Sequence, residues 1–385
     1  MTTYPILADG HQRAGAAFRA RFGASPHLMI RAPGRVHLLG EQTEHQDGCS
    51  MALATECALW LAARPRSDGR VIVHSVDLKD SVEFSVIEPE EPPVAWRQYV
   101  KGVAWSVREA GWPLSGWEGC VASDIPRAAG LASSSALALA VARAFAESAV
   151  RAWDPSAAAR CCQRAATEWV GATVGRMDAW PAALAQRGCA LLLDARSLTS
   201  EPVPMPKGFT VVLLETGPRQ IGVGLVDLER ATECRVAAQR IGVASLRDVT
   251  LTQYARKAPD LDEVSKRRAR HVVTEGDRVR QAILAMQRGD GDGLGIMLNM
   301  SHASLRDDFD VSDPLVEKLV RVARDLKGCA GARITGGRTS GLVLALVNNW
   351  ALGPFLEQVG PAFQAAAGAP VKASPTAAAA GLSLS

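Results

Sequence analysis

Between Asp124 and Ala140 the run DIPRAAGLASSSALALA makes one element stop and another start within a few residues. Pro126 has no N–H to give to a sheet ladder, so the strand-like GCVASDI ends there. Gly130 permits a tight turn. An alanine-rich helix follows, expected over roughly Ser134 to Val150. Ser133, Ser134 and Ser135 fall where the first backbone N–H groups of that helix have no partner within it. Such a helix start, with the positive end of its dipole, suits a phosphate group. A hydroxyl there can also reach a metal ion that the phosphate carries. The Gly-Lys-Ser/Thr of a Walker loop is absent, and the alternative is an alanine- and serine-rich cap packed on a neighbour.

Three further segments concentrate chemistry. RAPGRVHLLGEQTEHQDG, Arg31 to Gly48, takes a short apolar run, Val36 to Leu39, into a dense polar cluster closed by Gly48. Glu168 to Leu198 contains Gly175-Arg176-Met177-Asp178 ahead of an expected helix; an Asp there is either an N-cap or a group that orients or deprotonates a hydroxyl. GARITGGRTSGLVLALV, Gly331 to Val347, reads as a glycine-rich turn before a strand, or as a plain hairpin.

Hydrophobic residues are 48% and charged residues 22%, a globular composition, and 385 residues suggest two closely packed domains. A net charge of +3 gives no argument for nucleic acid or a membrane surface as partner. The eight cysteines show no CxxC or zinc spacing and read as buried free thiols. No signal peptide or membrane-spanning run is evident, so a cytoplasmic protein is expected. Residues 51 to 65 read as a buried strand or helix, and helices are expected near 12–22, 99–110, 157–170, 314–325 and 354–367. Strands are expected at 70–78 and 189–197, and at FTVVLLET and GLVLALV. The proline-rich EPVPMPKG, Glu201 to Gly208, reads as a linker, which divides the chain into 1–205 and 206–385. The tail is a frayed end or a last strand. Strands and helices lack the regular rhythm of a doubly wound sheet, so the fold class is α+β.

In order along the chain, these segments resemble the galactokinase branch of the GHMP small-molecule kinases. The first is similar to APGRVNLIGEHTDYNGG, the second to PxGxGLSSSAAL and the third to GxRMTGGGFGGCxIALV. VGRMDAWPAAL is similar to the CGIMDQ segment, and SHASLRDDF and WRQYVKGV to further galactokinase segments. The resemblance implies an N-terminal domain like domain 2 of ribosomal protein S5, a ferredoxin-like C-terminal domain and an active site between them. It implies ATP, Mg²⁺ and phosphoryl transfer to the anomeric hydroxyl of a sugar, by a monomer. By position, Asp178 is the catalytic aspartate and Arg35 the arginine beside it. Glu41, Gln42, Glu44, His45 and Gly175 are placed at the sugar. Gly130, Leu131, Ser133, Ser134, Ser135, Trp96, Gly336 and Gly337 are placed at the nucleotide, with Ser134 reaching Mg²⁺.

Several positions depart from the family pattern. Gln42 replaces its His, and Glu44 replaces its sugar-binding Asp with one more methylene. No Tyr stands near Asp227 to Arg230, where Arg230 is a candidate for a substrate carboxylate. Ala166 replaces the metal-binding Glu, with Glu168 two residues on and so on another helix face. GGRTSG replaces GGGFGG, and Ala128 replaces a Gly. Galactose is the expected substrate. The alternatives are a related sugar such as galacturonate, a non-sugar alcohol, or a galactokinase-like sensor that binds without turnover.

Overall fold

The structure is a computed structural model that describes residues 9–86, 96–126, 129–172, 174–217, 225–336 and 341–385. The first half runs α1 (Gly10–Phe22), β1 (Leu28–Leu39), β2 (Cys49–Arg66), β3 (Arg70–Ser75), β4 (Asp80–Ser85), α2 (Trp96–Glu109), β5 (Gly116–Ser123), α3 (Ser133–Ser148), α4 (Pro155–Arg164), α5 (Trp180–Leu184), β6 (Cys189–Asp194) and β7 (Thr199–Pro204). The second half runs β8 (Phe209–Glu215), α6 (Leu225–Ile241), α7 (Leu251–Lys257), α8 (Glu263–Gln287), α9 (Gly291–Asp307), α10 (Pro314–Asp325), β9 (Cys329–Thr335), β10 (Leu342–Asn348), α11 (Leu352–Ala367), β11 (Lys372–Thr376) and β12 (Ser383–Leu384).

Two sheets result. The larger has the order β12-β1-β2-β5-β3-β4, with β6 paired to the start of β2 and β7 to β6. Its neighbours are antiparallel except β3 and β5, which are parallel. The smaller is antiparallel throughout, in the order β11-β8-β10-β9. Two main cores of apolar side chains result: the larger joins the larger sheet and helices to one face of β8 and β10, and the other lies on their opposite face under helices. Helix α3 is buried nearly all round, from Ala136 through Ala146. Its alanines let it lie close on β1 and β2. That is why so apolar a helix can still place its polar first turn at a cleft.

The α+β expectation holds. The ambiguous 51–65 stretch is strand, within an 18-residue β2. Three readings need correction. The linker reading fails for Glu201 to Pro204, which belong to an antiparallel edge strand. Prolines are tolerated there because β7 has a partner on one side only. The segment GARIT, read as part of a turn, lies in β9, whose small and polar residues hid a strand buried along most of its length. The helix expected to run to Val170 ends as regular helix at Arg164 and continues as a π-helical turn over Ala165–Trp169. The tail supplies β11 to one sheet and β12 to the other. All eight cysteines are free, and half are fully buried, Cys120, Cys161, Cys162 and Cys234. Among the described residues no helix is long and apolar enough to cross a membrane.

Helix α9 and β9 touch backbone to backbone: a Cβ on Gly331 would strike the Gly295 carbonyl, and one on Gly295 the Ala330 carbonyl. Backbone cannot yield as a flexible side chain can. Gly331→Ala should therefore destabilise the protein by ~1–3 kcal/mol, read as a lower midpoint in thermal or denaturant unfolding.

Candidate active site

Strand β1 sets the site. Its pairing with β2 slips between Pro33 and Arg35 and again between His37 and Leu39. Arg35 and His37 lie on the short stretch between the slips, where such irregularities re-aim side chains. Gly34 lets the loop after β5 come close, since a Cβ there would stand 3.0 Å from the Leu131 carbonyl and 2.9 Å from Thr55 Oγ1. That loop is fastened to β1: Arg35 N–H donates to Leu131 O at 3.0 Å, and Arg35 Nη1 to Gly130 O at 2.7 Å.

The other edge of the Arg35 guanidinium meets Asp178. Nη2 and Nε donate to Asp178 Oδ1 at 2.7 and 3.2 Å. Asp178 is not a helix cap, because α5 begins after Ala179. Burial opposes the charge on Asp178, but Arg35 and His37 outweigh it and hold its carboxyl well below the usual range. The same pairing raises Arg35 against the opposing effect of its own burial. His37 Nε2 stands 3.7 Å from Asp178 Oδ1. Glu44, on the 3₁₀ turn Glu44–Gln46, reaches under the Gly175 turn, where any Cβ would overlap its Oε2. Burial above all, with Asp178 adding, pushes the Glu44 carboxyl up.

The polar loop after β1 is locked rather than mobile. Glu41 Oε1 accepts from Gly336 N at 2.6 Å, and its Oε2 from the fully buried Arg333. Arg333 also donates to Leu38 O at 2.7 Å. Gly40 N donates to Glu275 Oε1 at 2.9 Å, and His271 Nε2 to Glu41 O at 3.1 Å. Burial opposes the charge on Glu275, yet Arg278 and its other neighbours hold it down at about 2. His45 is neutral, pushed down to about 4 by burial and by His271. Glu41, Arg333 and Gly336 thus join the first motif to the third. Arg333, Glu275 and His271 were not singled out in the sequence, although the arginine within GARIT is a signal of its own, a charge inside a strand.

Two cavities share this cleft. One, about 440 Å³, is lined by Arg35, Glu41, Gln42, Glu44, His45, Asp178 and other neighbours. Gly130, Leu131, Gly175 and Gly336 also line it. The other, about 850 Å³, has an apolar wall that includes Leu59, Trp96, Tyr99, Ile125 and Leu137. Pro126, Ser133 and Ser134 line both cavities, while Ser135 lines neither. The helix they begin has Ala132 as its N-cap, at φ 55°, with no side-chain cap hydrogen bond. Its first N–H groups are left to a ligand at the junction of the two cavities. A nucleotide fits this geometry, its base in the apolar cavity and its phosphates at the serines. Trp96 donates its indole N–H to Asp80 Oδ2 at 2.9 Å and packs on the core as well as lining the cavity.

Other expectations resolve differently. Arg230 cannot receive a substrate carboxylate: it is buried, and donates to Phe309 O, Glu233 and Asp310 at 3.0–3.1 Å. Leu228 and Ala231 of α6 line the smaller cavity instead. Ala166 is buried, and Glu168 pairs with Arg164 at 3.0 Å on the exposed side. Gly337 and Arg338 lie outside the described residues.

The description "galactokinase galactose-binding signature" matches residues 16–65, and "GHMP kinases N terminal domain" matches residues 98–186. A galactokinase from Roseiflexus sp. (strain RS-1) is 38% identical over 356 residues, 91% of each chain. The structure of Lactococcus lactis galactokinase complexed with galactose superposes with a TM-score of 0.90 at 27% identity, covering 96% of this chain and 98% of that one. Methanococcus jannaschii mevalonate kinase shares the fold at a TM-score of 0.64 and 14% identity, over 92% and 98% of the two chains.

Removing the guanidinium in Arg35→Ala would strand a buried carboxylate, at a cost of ~3–5 kcal/mol at pH 7. Asp178 has a depressed folded pKa, so the stability it gains from Arg35 is present above the unfolded value near 4 and is lost as pH falls toward the folded one. Denaturant titrations should show the gap between wild type and Arg35→Ala narrowing as pH drops below about 4.

Proposed function

Because the chain belongs to the galactokinase family of GHMP kinases, sugar kinases that phosphorylate an alcohol, we propose that it transfers the γ-phosphoryl of ATP to the anomeric hydroxyl of galactose. The observation that carries this reading is the meeting of the two cavities at Ser133 and Ser134, with Asp178 and Arg35 in the smaller one. A sugar in the polar cavity has its hydroxyl beside Asp178, and a nucleotide in the apolar one has its phosphates at the start of α3. The O1–Pγ bond forms as the bond from Pγ to the β–γ bridging oxygen breaks, and ADP leaves.

Asp178 is a carboxylate at neutral pH and, with Arg35 against it, a weak base. In a loose phosphoryl-transfer transition state the nucleophile is only slightly deprotonated at the start. Asp178 therefore orients the hydroxyl first and takes its proton late, as charge moves onto the phosphoryl group. Arg35 balances that charge and, through Gly130 O, keeps the phosphate loop in register with the acceptor. Mg²⁺, when bound with the nucleotide, supplies neutralising charge at the phosphates. Ser134 is the side chain that would hold it, with phosphate oxygens and water completing its shell, a donor set this ion accepts. Glu41, Gln42, Glu44 and His45 form the sugar cradle in this reading. A cytoplasmic monomer is part of the same proposal.

The charge pattern favours a neutral sugar over a uronate. Among the described residues lining the smaller cavity, the arginines are Arg35 and Arg176. Arg35 is engaged by Asp178, and Arg176 by Asp47 at 2.7 Å. A substrate carboxylate would meet Glu44 and Asp178 without a cation of its own.

ADP release from ATP and Mg²⁺ should be measured with galactose, glucose, N-acetylgalactosamine and galacturonate. Galactose is expected to turn over fastest and galacturonate poorly, and Asp178→Asn should lower kcat by ~10²–10⁴-fold. Nucleotide binding without turnover on any sugar would instead favour a sensor.

A further inference from the structure

His37 Nδ1 and Glu44 Oε2 are both buried and have no hydrogen-bond partner among the described residues. Donor atoms of His37, Glu44 and Asp178 all lie within 4.8 Å of one another. Spacing of that order suits a divalent cation, but Arg35 Nη2 already sits 2.7 Å from Asp178 Oδ1. A dication would stand against a fixed guanidinium. A proton is the positive charge that fits.

The charges around the cluster can be counted element by element. Arg35 on β1 offsets one carboxylate, and two face it, Asp178 and Glu44. Glu41, just past β1, is held by Arg333 from β9. Arg176, on the turn with Asp178, directs its guanidinium to Asp47. One buried negative charge is left without a counter-charge unless a proton stays. We propose that Glu44 keeps its proton, with His37 as the positioning residue beside it, so that Asp178 is the only net negative charge beside Arg35 and the acceptor hydroxyl. Burial above all, with Asp178 adding, favours the protonated form of Glu44, against His37, Arg35 and the backbone N–H of Arg176, which favour the ionised one. When the proton is lost, the incoming γ-phosphoryl meets an extra negative charge. The inference rests on the kinase reading for its consequence in catalysis, but not for its physical test.

That test is a double-mutant cycle of His37→Asn and Glu44→Gln, followed by thermal unfolding from pH 5 to pH 8.5. The folded pKa of Glu44 lies above its unfolded value, so its penalty is absent near pH 4.3 and grows as pH rises. At pH 8, His37→Asn should lower Tm because Glu44 loses its partner, and adding Glu44→Gln should restore most of the loss. A coupling of ~2 °C or more is expected there, shrinking toward pH 5. Additive effects at every pH would overturn the proposal. If His37→Asn fails to fold, His37→Gln completes the same cycle. In the kinase assay the alkaline fall of kcat/KM for the sugar should shift in the His37 variant. A uniform drop at all pH would mean that His37 only packs. Absence of all turnover would sink the kinase reading and leave the thermal cycle to decide this one.

Discussion

The Arg35 guanidinium has two commitments, and the cleft is built on both. One edge holds the Asp178 carboxylate, and the remaining amino group holds the Gly130 carbonyl. A strand, the turn before α3 and the Asp178 carboxylate, from distant parts of the chain, are thereby set in one frame. A buried ion pair is a poor way to gain stability, since desolvation cancels much of the attraction. Its value here is geometric. A planar fork with fixed donor directions transmits the position of the loop to the position of the acid, which a lysine on a flexible stem would not do.

A second buried pair repeats the device across the two sheets. Arg333, on the smaller sheet, holds Glu41 and Leu38 O at the end of β1, while Gly336 N takes the other oxygen of Glu41. Glu275 of α8 receives Gly40 N and the Ser301 hydroxyl of α9. The polar loop therefore has no freedom to choose its shape when a ligand arrives. Gly40, at positive φ, is held in place by its bond to Glu275. The cleft is preorganised by contacts that touch no substrate.

Much of this was legible in the residues, and the gaps have physical causes. The serines at the start of α3, the Gly175–Asp178 turn and the Arg35 motif carry their chemistry in local spacing, and the structure gathers them in one cleft. His37 was hidden because it sits inside a run that reads as apolar. Only the two slips between β1 and β2 decide that it faces Asp178 and not solvent. Arg230 looked available because a sequence shows a charge and not its partners, which here are Glu233 one turn on and Phe309 O and Asp310 from a distant stretch of the chain. Glu201 to Pro204 read as a linker because proline density signals breaks, and an edge strand is the one place in a sheet that forgives it.

The same bookkeeping of partners explains how one cleft handles two substrates of opposite character. In the proposed reading a nucleotide's negative charge meets the start of α3, where backbone N–H groups are left without a side-chain cap. Among the described residues lining the smaller cavity, Arg35 and Arg176 are already engaged by carboxylates. The sugar side is left with carboxylates, an amide and imidazoles, groups that recognise hydroxyls by accepting and donating single hydrogen bonds. A site of this kind discriminates by leaving its own buried groups unpaired when a hydroxyl is missing or misplaced. Lengthening one of those groups, as Glu44 does, changes the fit only if the backbone opposite makes room. Gly175 makes that room, since a Cβ there would overlap Glu44 Oε2.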